Sequence, residues 1–326
     1  LLNAKITFIA NHLPANALSN EDIAREFPEW GVEKIFSKTG IRCRHIAAED
    51  ETASDLAYQA ALKVFAQSGC TPDQIDYLLF CTQSPDYALP TTACLLQERL
   101  KLPNYAGALD FNLGCSGFVY GLSLAKGLIE TNQAKKVLLL LGETYSKYLS
   151  ATDKSVRTIF GDGASAVLIE ASSDPEHQIG PFVFGTDGSG GQNLIVQNSG
   201  ARANPAFGAK SHLFMDGPEI LNFTLQRIPQ VVNLLCEKST VPLDQIDAFV
   251  FHQANRFILD QLRRKLKIDA DRFVINMEDY GNTVSATIPM ALERAVQSGQ
   301  IRPGARLMLV GFGVGYSWGA CLARWM

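Results

Sequence analysis

The sequence predicts an α/β protein built from two related halves, and three observations carry that expectation. Short runs rich in Val, Ile, Leu and Phe alternate with longer segments of helical character, the pattern of strands buried beneath helices. The tetrapeptide Asp73-Gln74-Ile75-Asp76, which leads into the apolar run Tyr77–Phe80, returns as Asp244-Gln245-Ile246-Asp247 leading into Ala248–Phe251. Two further matches follow in the same order: Lys135–Leu141 with Ala305–Val310, and Gly163-Ala164-Ser165-Ala166 with Gly319-Ala320-Cys321-Leu322. One match arises easily by chance; three in sequence order point to a duplicated unit. The halves are placed at residues 1–175 and 176–326, joined near residues 171–181.

Taken in order, the expected strands are Tyr77–Thr82, Gly107–Phe111, Val137–Gly142, Ala164–Glu170, Ala248–Phe251, Phe273–Asn276, Arg306–Val310 and Ala320–Arg324. The expected helices are Ser54–Ser68, Thr91–Leu100, Ser116–Thr131, Pro218–Lys238, Phe257–Leu266 and Thr287–Ser298. The stretch Gly185–Gly217 is rich in Gly, Asn and Ser and keeps no period. So long a connection in a compact protein is read as a loop covering a pocket.

Of the 326 residues, 47% are hydrophobic and 19% charged, a globular balance. The net charge of −4 provides no basic field for nucleic acid. No apolar run approaches the roughly 20 residues of a membrane span. The first residues lack the pattern of a secretory leader, and no Met stands first. Seven scattered cysteines, an odd number, suit free thiols in a reducing compartment, so a cytoplasmic location is expected.

Cys115 follows the strand-like run Ala108–Phe111 and precedes a helix rich in small residues. A free cysteine is most often a plain core residue. At a helix N-terminus, however, unpaired N–H groups and the helix dipole favour a thiolate and a lowered pKa. His252 stands where Ala248–Phe251 ends, and a polar residue there faces the crevice of an α/β sheet. Asn282, in Tyr280-Gly281-Asn282-Thr283, falls close to the place of Cys115 in the other half. Alone it reads as a turn residue. Gly311-Phe312-Gly313-Val314-Gly315 has neither a following helix nor a Lys-Ser/Thr pair, so it makes a poor phosphate loop. It suits close approach of backbone N–H groups to a reacting oxygen.

Together these segments resemble the β-ketoacyl-acyl-carrier-protein synthase III family of the thiolase superfamily. The resemblance runs through Thr39–Ala47, Cys115-Ser116-Gly117-Phe118, Phe160-Gly161-Asp162-Gly163-Ala164, His252-Gln253-Ala254-Asn255, Gly281-Asn282-Thr283 and Gly311-Phe312-Gly313 with Trp318-Gly319-Ala320. It implies a duplicated thiolase-like fold in a layered α-β-α-β-α arrangement. It also implies that Cys115 takes an acyl group from a thioester, and that the decarboxylation product of malonyl-acyl carrier protein then attacks it. His252 Nε2–H and Asn282 Nδ2–H would stabilise the enolate, and the N–H groups of Cys115 and Gly313 would form the oxyanion hole. The family needs no permanently bound cofactor; a coenzyme A thioester, or acyl carrier protein, is the donor. The alternative within this family is an acyltransferase or secondary-metabolite condensing enzyme with a different acceptor. A degradative thiolase would need a cysteine near Leu309-Val310-Gly311, which is absent.

The resemblance assigns further residues. Lys34 stands where relatives have a Trp that stacks on adenine, and Lys38 and Lys154 replace two Arg; with Asn255 these are the expected coenzyme A contacts. Arg256, Arg263, Arg264 and Lys265 would dock acidic acyl carrier protein. A homodimer is implied, with Leu89 reaching from the loop Ser84–Thr91 into the partner's acyl pocket. Leu is smaller than the Phe often found there, so acyl groups longer than acetyl are expected.

Overall fold

The computed structural model describes residues 2–174, 178–202 and 211–326. The expected join and the Gly185–Gly217 stretch each lie partly outside these residues, at 175–177 and 203–210.

The first half runs β1 (Asn3–His12), β2 (Asn16–Ser19), α1 (Asn20–Glu26), α2 (Val32–Thr39), β3 (Cys43–Ile46), α3 (Ala53–Ser68), β4 (Tyr77–Cys81), α4 (Thr92–Arg99), β5 (Gly107–Phe111), α5 (Gly117–Glu130), β6 (Lys136–Glu143), α6 (Lys154–Arg157) and β7 (Gly163–Ser172). Five of its strands form a sheet in the order β1-β7-β6-β4-β5. β4 runs parallel to β5 and β6, and β7 antiparallel to β6 and β1. The parallel pairs require crossovers, which α4 and α5 supply.

The second half runs β8 (Ile179–Thr186), β9 (Leu194–Val196), β10 (Leu213–Met215), α7 (Gly217–Ser239), β11 (Ala248–Phe251), α8 (Arg256–Leu266), α9 (Thr287–Gln297), β12 (Arg306–Gly313) and β13 (Ser317–Arg324). Its sheet, β11-β12-β13-β8, repeats the order of the first with β8 for β1, β13 for β7, β12 for β6 and β11 for β4. The place of β5 is held by one parallel bridge, Phe249 to Phe273. The expected strand Phe273–Asn276 is therefore not formed. The buried Gln253 side chain takes over its backbone groups, donating to Val274 O at 3.3 Å and accepting from Asn276 N–H at 2.8 Å.

The repeated tetrapeptide has a physical task. Asp76 Oδ2 accepts the N–H groups of Lys135 and Lys136 at 2.7 and 2.9 Å, and Asp247 Oδ2 accepts that of Arg306 at 2.7 Å. Each carboxylate pins the start of the neighbouring parallel strand. Along β6, Val137, Leu139 and Leu141 face one core while Leu138 and Leu140 face another. That alternation in a strand buried on both faces is what a central strand between helical layers requires. Leu56, Ala60 and Val64 of α3 fill the outer core, and Phe118, Val119 and Leu122 of α5 share the inner core with Leu307 and Leu309 of β12. The layers are thus α3 and α4, the first sheet, α5 and α9, the second sheet, and α7 with α8, the five-layer arrangement expected. The first turn of α5 lies hard against β4: a Cβ on Gly117 would sit 2.3 Å from Cys81 Sγ.

Candidate active site

Cys115 lies in the turn between β5 and α5, one residue before the N-cap Ser116, and is only 6% exposed. The end of β12 crosses directly over it. A Cβ on Gly313 would be 2.8 Å from Cys115 Sγ, so only glycine allows the approach. The N–H groups that favour a thiolate are those of Cys115 itself and of Val314. The sequence expectation placed the second donor on Gly313. Successive residues of an extended segment face opposite sides, so Gly313 provides clearance while Val314 provides the N–H. The expected low thiol pKa is also corrected. Burial, followed by the nearby Glu143, pushes the Cys115 thiol up to about 12 against the pull of those N–H groups. The resting sulfur is a neutral thiol.

His252 ends β11, its N–H donating to Val310 O at 2.8 Å. Burial lowers its pKa to about 3 and keeps the imidazole neutral. Nδ1 lies 2.7 Å from Thr287 Oγ1, and the Thr287 hydroxyl donates to Val284 O at 3.0 Å. A hydroxyl has one proton: while Thr287 gives it to Val284 O, the ring proton sits on Nδ1 and Nε2 holds a lone pair, and when it turns to Nδ1 the ring proton sits on Nε2.

Asn282 is fixed by its backbone, which accepts from Gly161 N–H at 3.0 Å and donates to Ile159 O at 2.9 Å. Its Oδ1 accepts the Val284 N–H at 2.9 Å and its Nδ2 donates to Ala254 O at 3.4 Å. This settles the orientation of the amide and leaves a second Nδ2–H to donate. Val284 has φ 56°, a strained setting for a β-branched residue.

Cys115, His252 and Asn282 line one cavity of about 130 Å³ with Ile159, Phe312 and Gly313. A larger cavity of about 420 Å³ shares Leu194 with it and is walled by Gln83, Tyr145, Tyr148, Leu213 and Val314. Leu194 and Leu213 pack in one cluster with Cys115, Tyr145 and Val284, so the described part of the Gly185–Gly217 stretch does cover the site.

Two residues escaped the sequence reading. Glu143, at the end of β6, is fully buried and accepts from Gln83 N–H at 3.0 Å and from the Ser84 and Ser285 hydroxyls, each at 3.1 Å. Burial raises its pKa to about 8 despite these donors. The signal was an acidic residue closing the apolar run Val137–Gly142. Trp30 is the other. The ammonium groups of Lys34, Lys38 and Lys154 lie 5.5, 5.2 and 5.7 Å from its ring centre. Trp30 lies two residues before α2, so an aromatic ring stands beside the position that Lys34 occupies. The signal was an aromatic residue close before the helix that carries Lys34 and Lys38.

Asn255 lines the smaller cavity, with its Oδ1 committed to capping α8 through Ile258 N–H at 2.9 Å. Arg256, Arg264 and Lys265 are exposed on α8; Arg263 is half-buried and donates to Ile268 O at 3.1 Å. Leu89 is 82% exposed. Among the described residues no group of three or more His, Cys, Asp or Glu is placed to hold a metal ion, and no helix is long and apolar enough to cross a membrane.

Residues 109–188 match the family model described as 3-oxoacyl-[acyl-carrier-protein (ACP)] synthase III, and residues 236–325 match that of its C-terminal part. The chain is 35% identical over 322 residues to a β-ketoacyl-[acyl-carrier-protein] synthase III of Neisseria gonorrhoeae and 37% identical over 327 residues to one of Clostridium perfringens, each comparison covering 99% of both chains. A crystal structure of a 3-oxoacyl-(acyl-carrier-protein) synthase III superposes with a TM-score of 0.97 at 53% identity, covering 99% of this chain and 100% of the other. The priming β-ketosynthase of the R1128 polyketide pathway superposes at 0.90 with 28% identity, covering 99% and 96%.

Proposed function

Because the chain belongs to the 3-oxoacyl-[acyl-carrier-protein] synthase III family, it is an acyltransferase that condenses an acyl group with malonyl-acyl carrier protein into a β-ketoacyl thioester, and we propose that Cys115, His252 and Asn282 carry out that reaction. The observation that supports these roles is the convergence of the three side chains, from two halves of the chain, on one cavity. On this reading residues 1–175 form the nucleophile half and 176–326 the half that supplies both side-chain donors. Seven free cysteines suit a cytoplasmic enzyme.

In the first half-reaction Cys115 Sγ attacks the donor's thioester carbonyl while the Nε2 lone pair of His252 takes the thiol proton. A neutral thiol needs such a base at the moment of attack, because its thiolate is not present beforehand. The N–H groups of Cys115 and Val314 hold the tetrahedral oxyanion. Collapse breaks the carbon–sulfur bond to the donor, and the departing thiol regains the proton from His252. In the second half-reaction malonyl loses CO2, and the enolate oxygen takes hydrogen bonds from Asn282 Nδ2–H and from the Nε2–H tautomer of His252. That tautomer forms by proton exchange with solvent, one proton arriving at Nε2 and the Nδ1 proton leaving, after which the Thr287 hydroxyl turns from Val284 O to donate to Nδ1. Attack of the enolate carbon on the acyl group expels the Cys115 thiolate, and one proton from solvent restores the thiol. Intact-mass spectrometry tests the scheme: a donor adds one acyl mass, and malonyl-acyl carrier protein then removes it as a β-ketoacyl thioester. Acyl mass that persists through the second incubation overturns it.

Coenzyme A is the donor we assign to the face formed by Trp30, Lys34, Lys38 and Lys154. An aromatic ring takes a stacked base, and ammonium groups suit phosphates as point charges. Trp30→Ala is expected to raise KM for acyl-coenzyme A by roughly tenfold, the order of one lost base–aromatic stack. KM for the same acyl group on N-acetylcysteamine, which has no nucleotide, stays unchanged. Equal KM changes for both donors would remove Trp30 from the nucleotide site. Acyl carrier protein is assigned to the exposed basic residues of α8, Arg256 at its start and Arg264 and Lys265 in its last turn.

A homodimer completes this reading. Leu89, Tyr87 and Tyr105 are large exposed apolar residues, the first two on one loop. With Leu89 of a second copy at the mouth of the 420 Å³ cavity, Leu89→Phe is expected to shift acyl-loading preference toward shorter chains. Each methylene lost from the pocket weakens binding by about 0.8 kcal/mol. Static light scattering should give a dimer mass; a monomer, or identical chain-length profiles for the two proteins, refutes the assignment.

A further inference from the structure

We propose that Arg44 is a positioning residue for Asn282, acting through the short segment 158–161 that joins α6 to β7; the proposal rests on Asn282 serving the enolate. Arg44 stands in β3 and is the bulkiest fully buried side chain among the described residues. Its Nε donates to Thr158 O at 3.0 Å, its Nη2 donates to the same oxygen at 2.5 Å, and its Nη1 donates to Asn20 Oδ1. Asn20 is held in turn, its Nδ2 donating to Ile41 O at 2.8 Å. Burial lowers the guanidinium pKa to about 10, so the group remains charged at neutral pH. These acceptors are neutral oxygens, which return only part of the cost of taking a cation out of water.

The carbonyl that the fork secures lies one residue from the backbone that carries Asn282. Ile159 O accepts the Asn282 N–H at 2.9 Å, and Asn282 O accepts the Gly161 N–H at 3.0 Å, which makes Phe160 and Asn282 an isolated parallel bridge. The bridge belongs to neither sheet, so no ladder of further pairs holds it. Arg44 packs along both of its sides. A Cβ on Gly161 would sit 3.3 Å from Arg44 Cβ, and a Cβ on Gly281 would sit 3.2 Å from Arg44 Cγ. The stem of Arg44 thus lies against both segments of the bridge, while its head grips the carbonyl just before it.

The Asn282 side chain cannot hold this place by itself. Its Nδ2 reaches Ala254 O only at 3.4 Å, and its Oδ1 is bonded to Val284, two residues along the same turn. Where Nδ2–H points is therefore set by the bridge. Cys115 and His252 are anchored elsewhere, in the turn between β5 and α5 and on β12 through Val310 O. Loosening Thr158 moves the amide donor and leaves the nucleophile and its base in place.

The test compares wild type with Arg44→Lys and Arg44→Met, each alone and combined with Asn282→Asp. Lysine retains a cation and a long stem but has no planar fork to take one carbonyl twice. Loading is followed as acyl mass gained from a short N-acetylcysteamine thioester, and the second half-reaction as CO2 released from malonyl-acyl carrier protein. Both Arg44 variants are expected to lose decarboxylation by about ten- to a hundredfold, the order of a reacting group displaced by about 1 Å, and to lose loading much less. On Asn282→Asp, which has already lost the donor, neither variant lowers the residual decarboxylation further, because residues that act as a unit are not additive. Asn20→Ala, which removes the Nη1 partner, moves the ratio of the two half-reactions the same way to a smaller extent and serves if the Arg44 variants fail to fold. Proportional losses of loading and decarboxylation, wild-type decarboxylation in Arg44→Lys, an unchanged ratio in Asn20→Ala, or a full further loss on Asn282→Asp overturns the assignment of Arg44 and leaves that of Asn282 standing. If Asn282→Asp alone lowers both half-reactions equally, the role of Asn282 fails, and this proposal with it.

Discussion

Cys115→Ala takes up no acyl mass from any thioester, and condensation stops. The expectation follows from the geometry around the sulfur. Gly313 clears the approach to it, and the N–H groups of Cys115 and Val314 favour negative charge on it. Methyl in place of CH2–SH has no lone pair to attack with. The fold survives, because the loss is roughly one methylene-sized group, or about 1 kcal/mol. The thermal midpoint should accordingly move by only a few degrees. Intact mass after incubation with a short acyl thioester is the measurement. A mass gain equal to that of wild type would remove Cys115 from the reaction.

Asn282→Ala should divide the two half-reactions. The side chain offers Nδ2–H to the enolate, which exists only in the second. Malonyl decarboxylation is expected to fall by about 10²–10³, the usual effect of losing one oxyanion donor, while Cys115 remains measurably acylated. Asn282 Oδ1 also supports the loop by accepting the Val284 N–H, so truncation alone mixes two effects. Asn282→Asp separates them, since it retains the acceptor and removes the N–H donor. Decarboxylation should be lost in both variants. Equal proportional losses of loading and decarboxylation in Asn282→Asp would show that the amide does not act on the enolate.

Elements with a continuous apolar run or a sustained helical period were the legible ones. Gly107–Phe111 and Ala248–Phe251 form strands with the bounds their apolar runs predict, and the six expected helices occur within one residue at each end. The duplicated Asp-Gln-Ile-Asp was readable because each copy performs the same local task. The first strand was not legible. β1 pairs only with β7 and carries an irregularity between Ile6 and Phe8, so its sequence keeps no clean alternation. The segment at Phe273 read as a strand because its composition is that of one; the competitor was a side chain, Gln253, from another segment. Cys115, His252 and Asn282 were legible as ends of strands in a repeat. Their protonation was not, because burial and a hydroxyl partner are properties of the assembled fold. Thr287 and Glu143 act through contacts far apart in sequence, and Trp30 was passed over because a single expected position held Lys34.

The duplicated turns carry an electrostatic consequence. The nucleophile precedes α5 and the amide donor precedes α9, and the two turns touch where Gly114 approaches Val284. Apart from a histidine held neutral by burial, the cavity they enclose has no ionisable nitrogen on its wall. Developing negative charge in the reaction is therefore met by oriented amide dipoles and the ring N–H of His252, all enclosed in the cavity and without a standing counter-ion atmosphere. The standing positive charges lie outside, on the Trp30 face and along α8, and only His252 becomes charged within, while it holds the thiol proton. Dissolved salt can thus weaken the arrival of an anionic carrier, while the bond-making steps proceed in a field that ionic strength does not reach.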